Sequence, residues 1–313
     1  MKRDQTLATP RLRIQPLDSP LLRGRGIQID ILRADEVHPL ISGNKWFKLK
    51  YNLLRAAEQR LDRLLSFGGA YSNHIYALAA AGRAYGFRTI GVIRGEKPEP
   101  LNATLGFAEA QGMQLHFVSR EAYRHKHEAA FLQELQAAYG SCFIIPEGGS
   151  NELAVQGCRE MIENPEDYDC IACCVGTGGT LAGILEKTRN RAQVLGFSAL
   201  KGGDFLYEEV NRLTRACSGH TYDNYRIITD YHFGGYARAK PELVRFINDF
   251  RQMHQLQLDP IYTGKMMYGL LDRVGQELFS RGSRILAVHS GGLQGIAGFN
   301  ERFTGKNLRI QVD

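Results

Sequence analysis

Val175-Gly176-Thr177-Gly178-Gly179-Thr180-Leu181-Ala182-Gly183-Ile184 is the stretch on which the reading of this chain turns. An apolar run, Cys170 to Val175, enters it, and a helix-like pattern leaves it. A buried strand, a glycine-rich turn and a helix start together make a recurrent phosphate cradle. Gly176, Gly178 and Gly179 let the backbone come close with its N–H groups inward. Thr177 and Thr180 add hydroxyl donors, and the positive end of the following helix favours an anion. Taken alone, the loop fits a plain tight turn equally well. It has neither the Gly-Lys-Ser/Thr ending of a P-loop nor Gly-x-Gly-x-x-Gly spacing, so a phosphorylated ligand other than a nucleotide is indicated.

Outward from this loop the pattern alternates. Arg63 to Phe67 reads as a short buried strand and Ile75 to Tyr85 as an Ala-rich helix. Thr89 to Ile93 is a strand, Asn102 to Gln111 a helix, Gln114 to Val118 a strand, Glu121 to Ala138 a longer helix and Cys142 to Ile145 a strand. After the glycine loop, strands recur at Val194 to Phe197, Arg226 to Thr229 and Arg284 to Val288, and helices at Pro241 to Gln255 and Lys265 to Arg281. The first forty residues hold short β-like runs such as Ile27 to Leu32 and no long periodic helix. Strands alternating with helices at this spacing give an α/β protein with open parallel sheets. In such sheets ligands gather beyond the carboxyl ends of the strands. The polar turns Ser72-Asn73-His74, Gly148-Gly149-Ser150, Gly176 to Thr180 and Ser290-Gly291-Gly292 all fall there.

Ser42-Gly43-Asn44-Lys45 precedes Trp46, Leu49, Leu53 and Ala56 at helical spacing, which puts Lys45 at the start of an amphipathic helix. The positive helix end disfavours a second positive charge, so a lysine here suits a nucleophilic amine. Lys48 and Lys50 are expected to be solvated.

The 313 residues allow one large or two medium domains. The net charge of +6 includes an N-terminal cluster of Lys2, Arg3, Arg11, Arg13, Arg23 and Arg25. No nucleic-acid motif accompanies it, so it reads as dispersed surface charge or a preference for anionic ligands. No segment is long and apolar enough to span a membrane, and the basic N-terminus lacks a signal-peptide core, so a cytoplasmic location is expected. Cys170-x-x-Cys173 lies inside the apolar strand, without a second Cys or His pair at zinc spacing, and reads as strand interior; no metal site is expected.

Six motifs stand in order: Ser42-Gly43-Asn44-Lys45, Gly68-Gly69-x-x-Ser72-Asn73-His74, Pro146-Glu147-Gly148-Gly149-Ser150-Asn151, Gly176-Thr177-Gly178-Gly179-Thr180, Asp259-Pro260-x-Tyr262-x-Gly264-Lys265 and His289-Ser290-Gly291-Gly292. From about Ile27 to Leu293 the chain resembles the 1-aminocyclopropane-1-carboxylate deaminase and D-cysteine desulfhydrase family of pyridoxal-phosphate enzymes. That resemblance implies a tryptophan-synthase-β-like fold with pyridoxal 5'-phosphate in a cleft between two domains. Residues 1–45 and 160–313 would form the large one and 46–159 the smaller insertion. Carried over by position, Lys45 forms the imine with the cofactor and acts as general base, and Asn73 hydrogen-bonds the ring hydroxyl. Gly176 to Thr180 cup the phosphate and Ser290 approaches the ring nitrogen. Ser72, with Asn73 and His74, meets the substrate carboxylate. Tyr262 packs beside the ring and reaches the substrate, and Tyr236 is a second, more loosely matched tyrosine. The partner is a small amino acid, and a homodimer is expected.

The implied reaction is α,β-elimination from a β-substituted amino acid, giving a 2-oxo acid and ammonia. A hydroxyl at Ser290, in place of a carboxylate, leaves the ring nitrogen unforced and should favour elimination over transamination. Thr263 stands where the cyclopropane deaminases carry a Glu after the tyrosine, which turns the expectation toward a D-cysteine-like substrate. The alternatives are the cyclopropane deaminase itself, a racemase or β-replacement enzyme on the same scaffold, or a cofactor-binding protein with little catalysis. Trp46-Phe47 read as core contacts that could instead narrow the pocket. Ala70-Tyr71 are bulkier than expected before Ser72.

Overall fold

The computed structural model describes residues 7–304 and 308–312; Lys2 and Arg3 of the basic cluster lie outside them. The chain begins with β1 (Ile14–Leu17), α1 (Pro20–Arg25), β2 (Gln28–Leu32) and α2 (Asn44–Glu58). There follow β3 (Arg63–Gly69), α3 (Asn73–Tyr85), β4 (Arg88–Arg94), α4 (Ala103–Ala110) and β5 (Gln114–Val118). Next come α5 (Ala129–Tyr139), β6 (Phe143–Ile145), α6 (Glu152–Cys158), β7 (Cys170–Val175) and α7 (Gly179–Thr188). The rest is β8 (Gln193–Ser198), α8 (Phe205–Ser218), β9 (Tyr225–Ile228), α9 (Pro241–His254), α10 (Thr263–Gly275), β10 (Arg284–Val288) and α11 (Gly295–Arg302).

The strands form a six-stranded sheet in the order β1-β2-β10-β7-β8-β9 and a four-stranded sheet in the order β5-β4-β3-β6. The four-stranded sheet is wholly parallel. The six-stranded one departs from the expected parallel arrangement at one edge, where β1 runs antiparallel to β2 with Ile14 opposite Leu32. The reason is local: only the short α1 and its left-handed Gly26 cap separate the two strands, too little chain for a parallel crossover. β7 sits inside the larger sheet, between β10 and β8, and all its residues are buried. A strand covered on both faces needs a continuous apolar run, as Cys170 to Val175 supplies. Each fully buried Val or Ile there adds about 1.5–3 kcal/mol. Cys170 and Cys173 are free buried thiols in this strand.

Two expected helices change length. Glu121 to Ala138 divides into a short 3-10 turn at Ala122–His125 and α5. Tyr123 causes the break by turning inward against Phe67, with ring centroids 6.4 Å apart. The helix expected over Lys265 to Arg281 runs instead from Thr263 to Gly275, and beyond it Glu277 takes a left-handed φ of 61°.

α2, α6 and α7 pack against one another between the two sheets. Gly157 of α6 permits the approach to α2, since a Cβ there would stand 1.9 Å from the Phe47 carbonyl oxygen. Trp46 and Phe47 are buried and meet edge-on at 5.1 Å. They are core, and neither lines the cleft.

Candidate active site

The turns at the carboxyl ends of β3, β6, β7 and β10 converge with the start of α2 on one cavity of about 1410 Å³. It is lined by Lys45, Ser72, Asn73, His74, Gly176, Thr177, Gly178, Thr180, Tyr236, Tyr262 and Ser290. Of the expected site residues, Gly179 alone is not on the wall. It sits behind it, where a Cβ would be 2.8 Å from Ser150 Oγ.

Lys45 is the second residue of α2. Its position depends on Gly43, which has a φ of 66° and lies so close to the β10 turn that a Cβ would sit 1.9 Å from the Ser290 carbonyl oxygen. The Asn44 amide donates to that same oxygen at 3.1 Å, and its side chain donates to Thr180 Oγ1 at 2.8 Å. The lysine is thereby tied to the Ser290 turn on one side and the glycine loop on the other. Its amine makes no hydrogen bond or ion pair among the described residues. Burial, reinforced by the charge of Lys48, lowers its pKa to about 7. Much of it is therefore the neutral, nucleophilic form at neutral pH.

This gives a pH expectation. Protonated amine cannot attack an aldehyde, so capture of an aldehyde by the protein should speed up as pH rises through about 7 and level off above. Stopped-flow mixing with pyridoxal phosphate over the neutral and alkaline range reads this directly. A midpoint near the ordinary lysine value of 10.5 would contradict it.

Lys48 corrects an expectation. It is not solvated but 2% exposed, and its ammonium donates to Ser150 Oγ at 2.8 Å, Gly148 O at 3.1 Å and Thr177 Oγ1 at 3.3 Å. Burial lowers its pKa to about 8. It stands beside the glycine loop as a local cation, joining the turn after β6 to the turn after β7. Ser150 and Thr177 are themselves hydrogen-bonded at 2.6 Å. Lys50 is also buried; it holds Glu160 at 2.6 Å and belongs to the structural core. The loop itself, with Gly178 in a left-handed conformation at the N-cap of α7, presents amides of the first helical turn to the cavity.

Ser72 caps α3, its hydroxyl accepting from the Ile75 amide at 3.3 Å. The hydroxyl proton and the first amides of α3 are left to meet a carboxylate. Tyr71 turns away onto α11, where a Cβ at Gly298 would lie 2.5 Å from its ring. Its bulk thus lies partly against that helix. Asn73 reaches the β10 turn, its Nδ2 being 3.0 Å from a Cβ placed on Gly292.

His74 is 1% exposed, with Nε2 at 2.8 Å from Ser66 Oγ. That hydroxyl gives its proton to Ile145 O at 2.7 Å, so Nε2 carries the imidazole hydrogen. Nδ1 is a buried acceptor with no partner. Burial and the nearby lysines hold this histidine well below its usual pKa, hence neutral.

Tyr262 and Tyr236 meet edge-on at 6.2 Å; burial raises the Tyr262 phenol, which stays neutral, while Tyr236 is still 40% exposed at the cleft. Asp259, 0% exposed, fixes Tyr262 by accepting from the amides of Ile261 at 2.9 Å, Tyr262 at 3.0 Å and Thr263 at 2.8 Å. Thr263 gives its hydroxyl proton to the same carboxylate at 2.7 Å and does not line the cavity. Lys265, in the same motif, donates to Gly235 O at 2.9 Å and so anchors the loop that carries Tyr236. His289 is structural, spanning Gln257 O at 2.7 Å and Asp35 at 3.3 Å. Met266 and Met267 are core. Glu147 does face the cleft, 3.4 Å from Lys126.

A family profile described as pyridoxal-phosphate dependent enzyme matches residues 8–291. A putative 1-aminocyclopropane-1-carboxylate deaminase of Pyrococcus furiosus is 29% identical over 94% of this chain and 95% of its own. A bifunctional D-cysteine desulfhydrase/1-aminocyclopropane-1-carboxylate deaminase, mitochondrial, of Arabidopsis thaliana is 30% identical over 87% of this chain and 74% of its own. A crystal structure described as an ACC deaminase homologue superposes with a TM-score of 0.81 at 25% identity, covering 95% of this chain and 94% of that one.

The residues present fit pyridoxal phosphate. An unpartnered amine of lowered pKa suits its aldehyde, and a helix start with Thr177, Thr180 and a buried ammonium suits its phosphate. No helix of the described residues is long and apolar enough to cross a membrane. By profile, relatives and fold, the chain belongs to the pyridoxal-phosphate dependent enzymes, in the branch that holds 1-aminocyclopropane-1-carboxylate deaminase and D-cysteine desulfhydrase.

Proposed function

We propose that this lyase or deaminase releases a 2-oxo acid and ammonia from a compact α-amino acid, with Lys45 moving the proton that starts the reaction. The observation that carries the reading is the free Lys45 amine with its pKa near 7, facing the same cavity as the glycine loop. When bound, pyridoxal phosphate supplies an electron sink for the substrate's α-carbon. Thr177, Thr180 and the amides at the start of α7 hold its phosphate, with Lys48 as counter-charge. Asn73 meets the ring hydroxyl, and Ser290, a hydroxyl rather than a carboxylate, stands at the ring nitrogen. Ser72 and the α3 amides orient the substrate carboxylate, beside Asn73 and the neutral His74. The free Lys45 amine would take a proton from substrate carbon. Tyr262, as a neutral phenol, and Tyr236 beside it would donate or receive the second proton.

The names of the relatives support 1-aminocyclopropane-1-carboxylate as substrate better than D-cysteine. The D-cysteine reading keeps one support of its own: Thr263 is turned into Asp259, so no carboxylate reaches the cavity from the position after Tyr262. The strands segregate as an inserted unit at 46–159 within a larger unit of 1–45 and 160–313 would require, and a homodimer with a cytoplasmic location completes the reading. The test is a panel of D- and L-amino acids and the cyclopropane acid, assayed for 2-oxo acid. Oxobutanoate from the cyclopropane acid is the expected product; sulfide and pyruvate from D-cysteine would reverse the order of the two readings. Release of no 2-oxo acid from any member would overturn the proposal.

A further inference from the structure

The cavity of about 1410 Å³ exceeds the roughly 300–1,000 Å³ usual for a small-molecule site, so a compact amino acid beside a cofactor leaves space. Part of the cavity's lining follows the carboxyl edge of the four-stranded sheet. Gly69 and Arg94 are paired neighbours at the ends of β3 and β4. The Arg94 guanidinium hangs over the strand end leading to Ser72, 3.6 Å from where a Gly69 Cβ would be. It rests on Tyr123, 5.6 Å from the ring centroid, and the Lys126 ammonium lies 4.9 Å from the same ring. All three residues line the cavity.

The charges here are unbalanced. Arg94, Arg120 and Arg124, all on the lining, have no ion pair and no side-chain hydrogen bond among the described residues. Of the three acidic lining groups, Glu209 is taken by Arg212 at 2.7 Å, Glu147 is shared with Lys126 at 3.4 Å, and Glu152, at the start of α6, lies within the field of Arg212. The lining adds two further arginines, Arg238 and Arg302. With Arg94 and Lys126 stands the Tyr123 hydroxyl, in a residue only 2% exposed; it makes no hydrogen bond of normal geometry, and the acid facing it is Glu147, already shared with Lys126. A buried donor left unmade costs about 1–3 kcal/mol. Neither part of the cofactor site needs these groups, because Lys48 already serves the glycine loop and the start of α3 already serves an α-carboxylate.

We propose that Arg94, Tyr123 and Lys126 form an outer anion subsite of the cleft, which binds the side-chain acid of an α-amino acid. This rests on the cleft being an amino-acid site, as above, and narrows the side chain it favours. The guanidinium meets a carboxylate through a forked pair of N–H donors, the phenol gives the buried hydroxyl proton, and the ammonium adds charge. A neutral amide of equal length offers one acceptor oxygen and no charge, so it cannot answer the forked guanidinium or the ammonium.

Calorimetric titration of the holoenzyme with glutamate against glutamine, and aspartate against asparagine, in both enantiomers, tests this. For one chain length and hand, the acid should bind about tenfold or more tightly than the amide, and the gap should shrink with added salt. In Arg94→Gln the gap should close to within about twofold while amide binding stays unchanged. Tyr123→Phe should close it in part; it removes one hydroxyl and keeps the ring that Arg94 rests on. Equal affinity for acid and amide in the unmodified enzyme, or no binding of either, overturns the subsite. So does an Arg94→Gln variant that weakens both equally, since Arg94 would then hold the α-carboxylate. Failure of the larger reading looks different: no cofactor band forms. In that case glutarate against its monoamide, titrated into the protein as purified, still decides the subsite.

Discussion

Lys45→Ala is expected to lose the visible cofactor band and to lower 2-oxo acid release by about 10⁴-fold, the upper end of what one proton-transfer group supplies. Nothing nearby replaces the amine. Lys48 points into Gly148, Ser150 and Thr177, with all three contacts made. Lys45→Arg should fare no better, because a guanidinium stays protonated at neutral pH. Lys48→Met separates the roles of the two lysines: the band should form at saturating cofactor, but the affinity should drop. An absorbance spectrum and a cofactor titration of each variant suffice. Should the Lys45→Ala protein keep a full band and more than a tenth of the activity, the assignment of the amine is wrong.

Gly43→Ala should be nearly as damaging, without touching a polar group. The added Cβ would stand 1.9 Å from the Ser290 carbonyl oxygen and 2.7 Å from the Gly291 amide, both backbone atoms that cannot swing aside. The φ of 66° with ψ of −146° is also a conformation that only glycine adopts readily. Strain and overpacking together should cost about 3 kcal/mol. The turn can relax only by pushing α2 and the Ser290 turn apart, which moves Lys45 away from Ser290. Denaturant unfolding should register the loss in stability, and cofactor titration the loosened site. A variant within about 0.5 kcal/mol of the parent, with unchanged cofactor affinity, would show that the approach is looser than described.

The strand-turn-helix grammar around Gly176 was legible because a buried parallel strand has few ways to write itself. The turns that follow β3, β6 and β10 were legible for the same reason. The sequence does carry a signal for the buried Lys48: it is three residues after Lys45 on a helix, hence on the same face, one turn further in. α8 and α11 were passed over, α8 despite Leu206, Val210 and Leu213 at helical spacing. The break before α5 carries no glycine or proline. It comes from Tyr123 packing against Phe67, a contact that local pattern cannot reveal. The outer cluster around Arg94 was invisible for a related reason. Arg94 ends β4 while Tyr123 and Lys126 share the 3-10 turn before α5, and each alone reads as a solvated or core residue.

The contacts of Lys48 carry a mechanical consequence. One ammonium clamps a turn from each sheet, so the grip on an anionic tail and the width of the gap between the sheets form a single adjustable joint. A change at either turn is therefore felt at the other through the same three contacts.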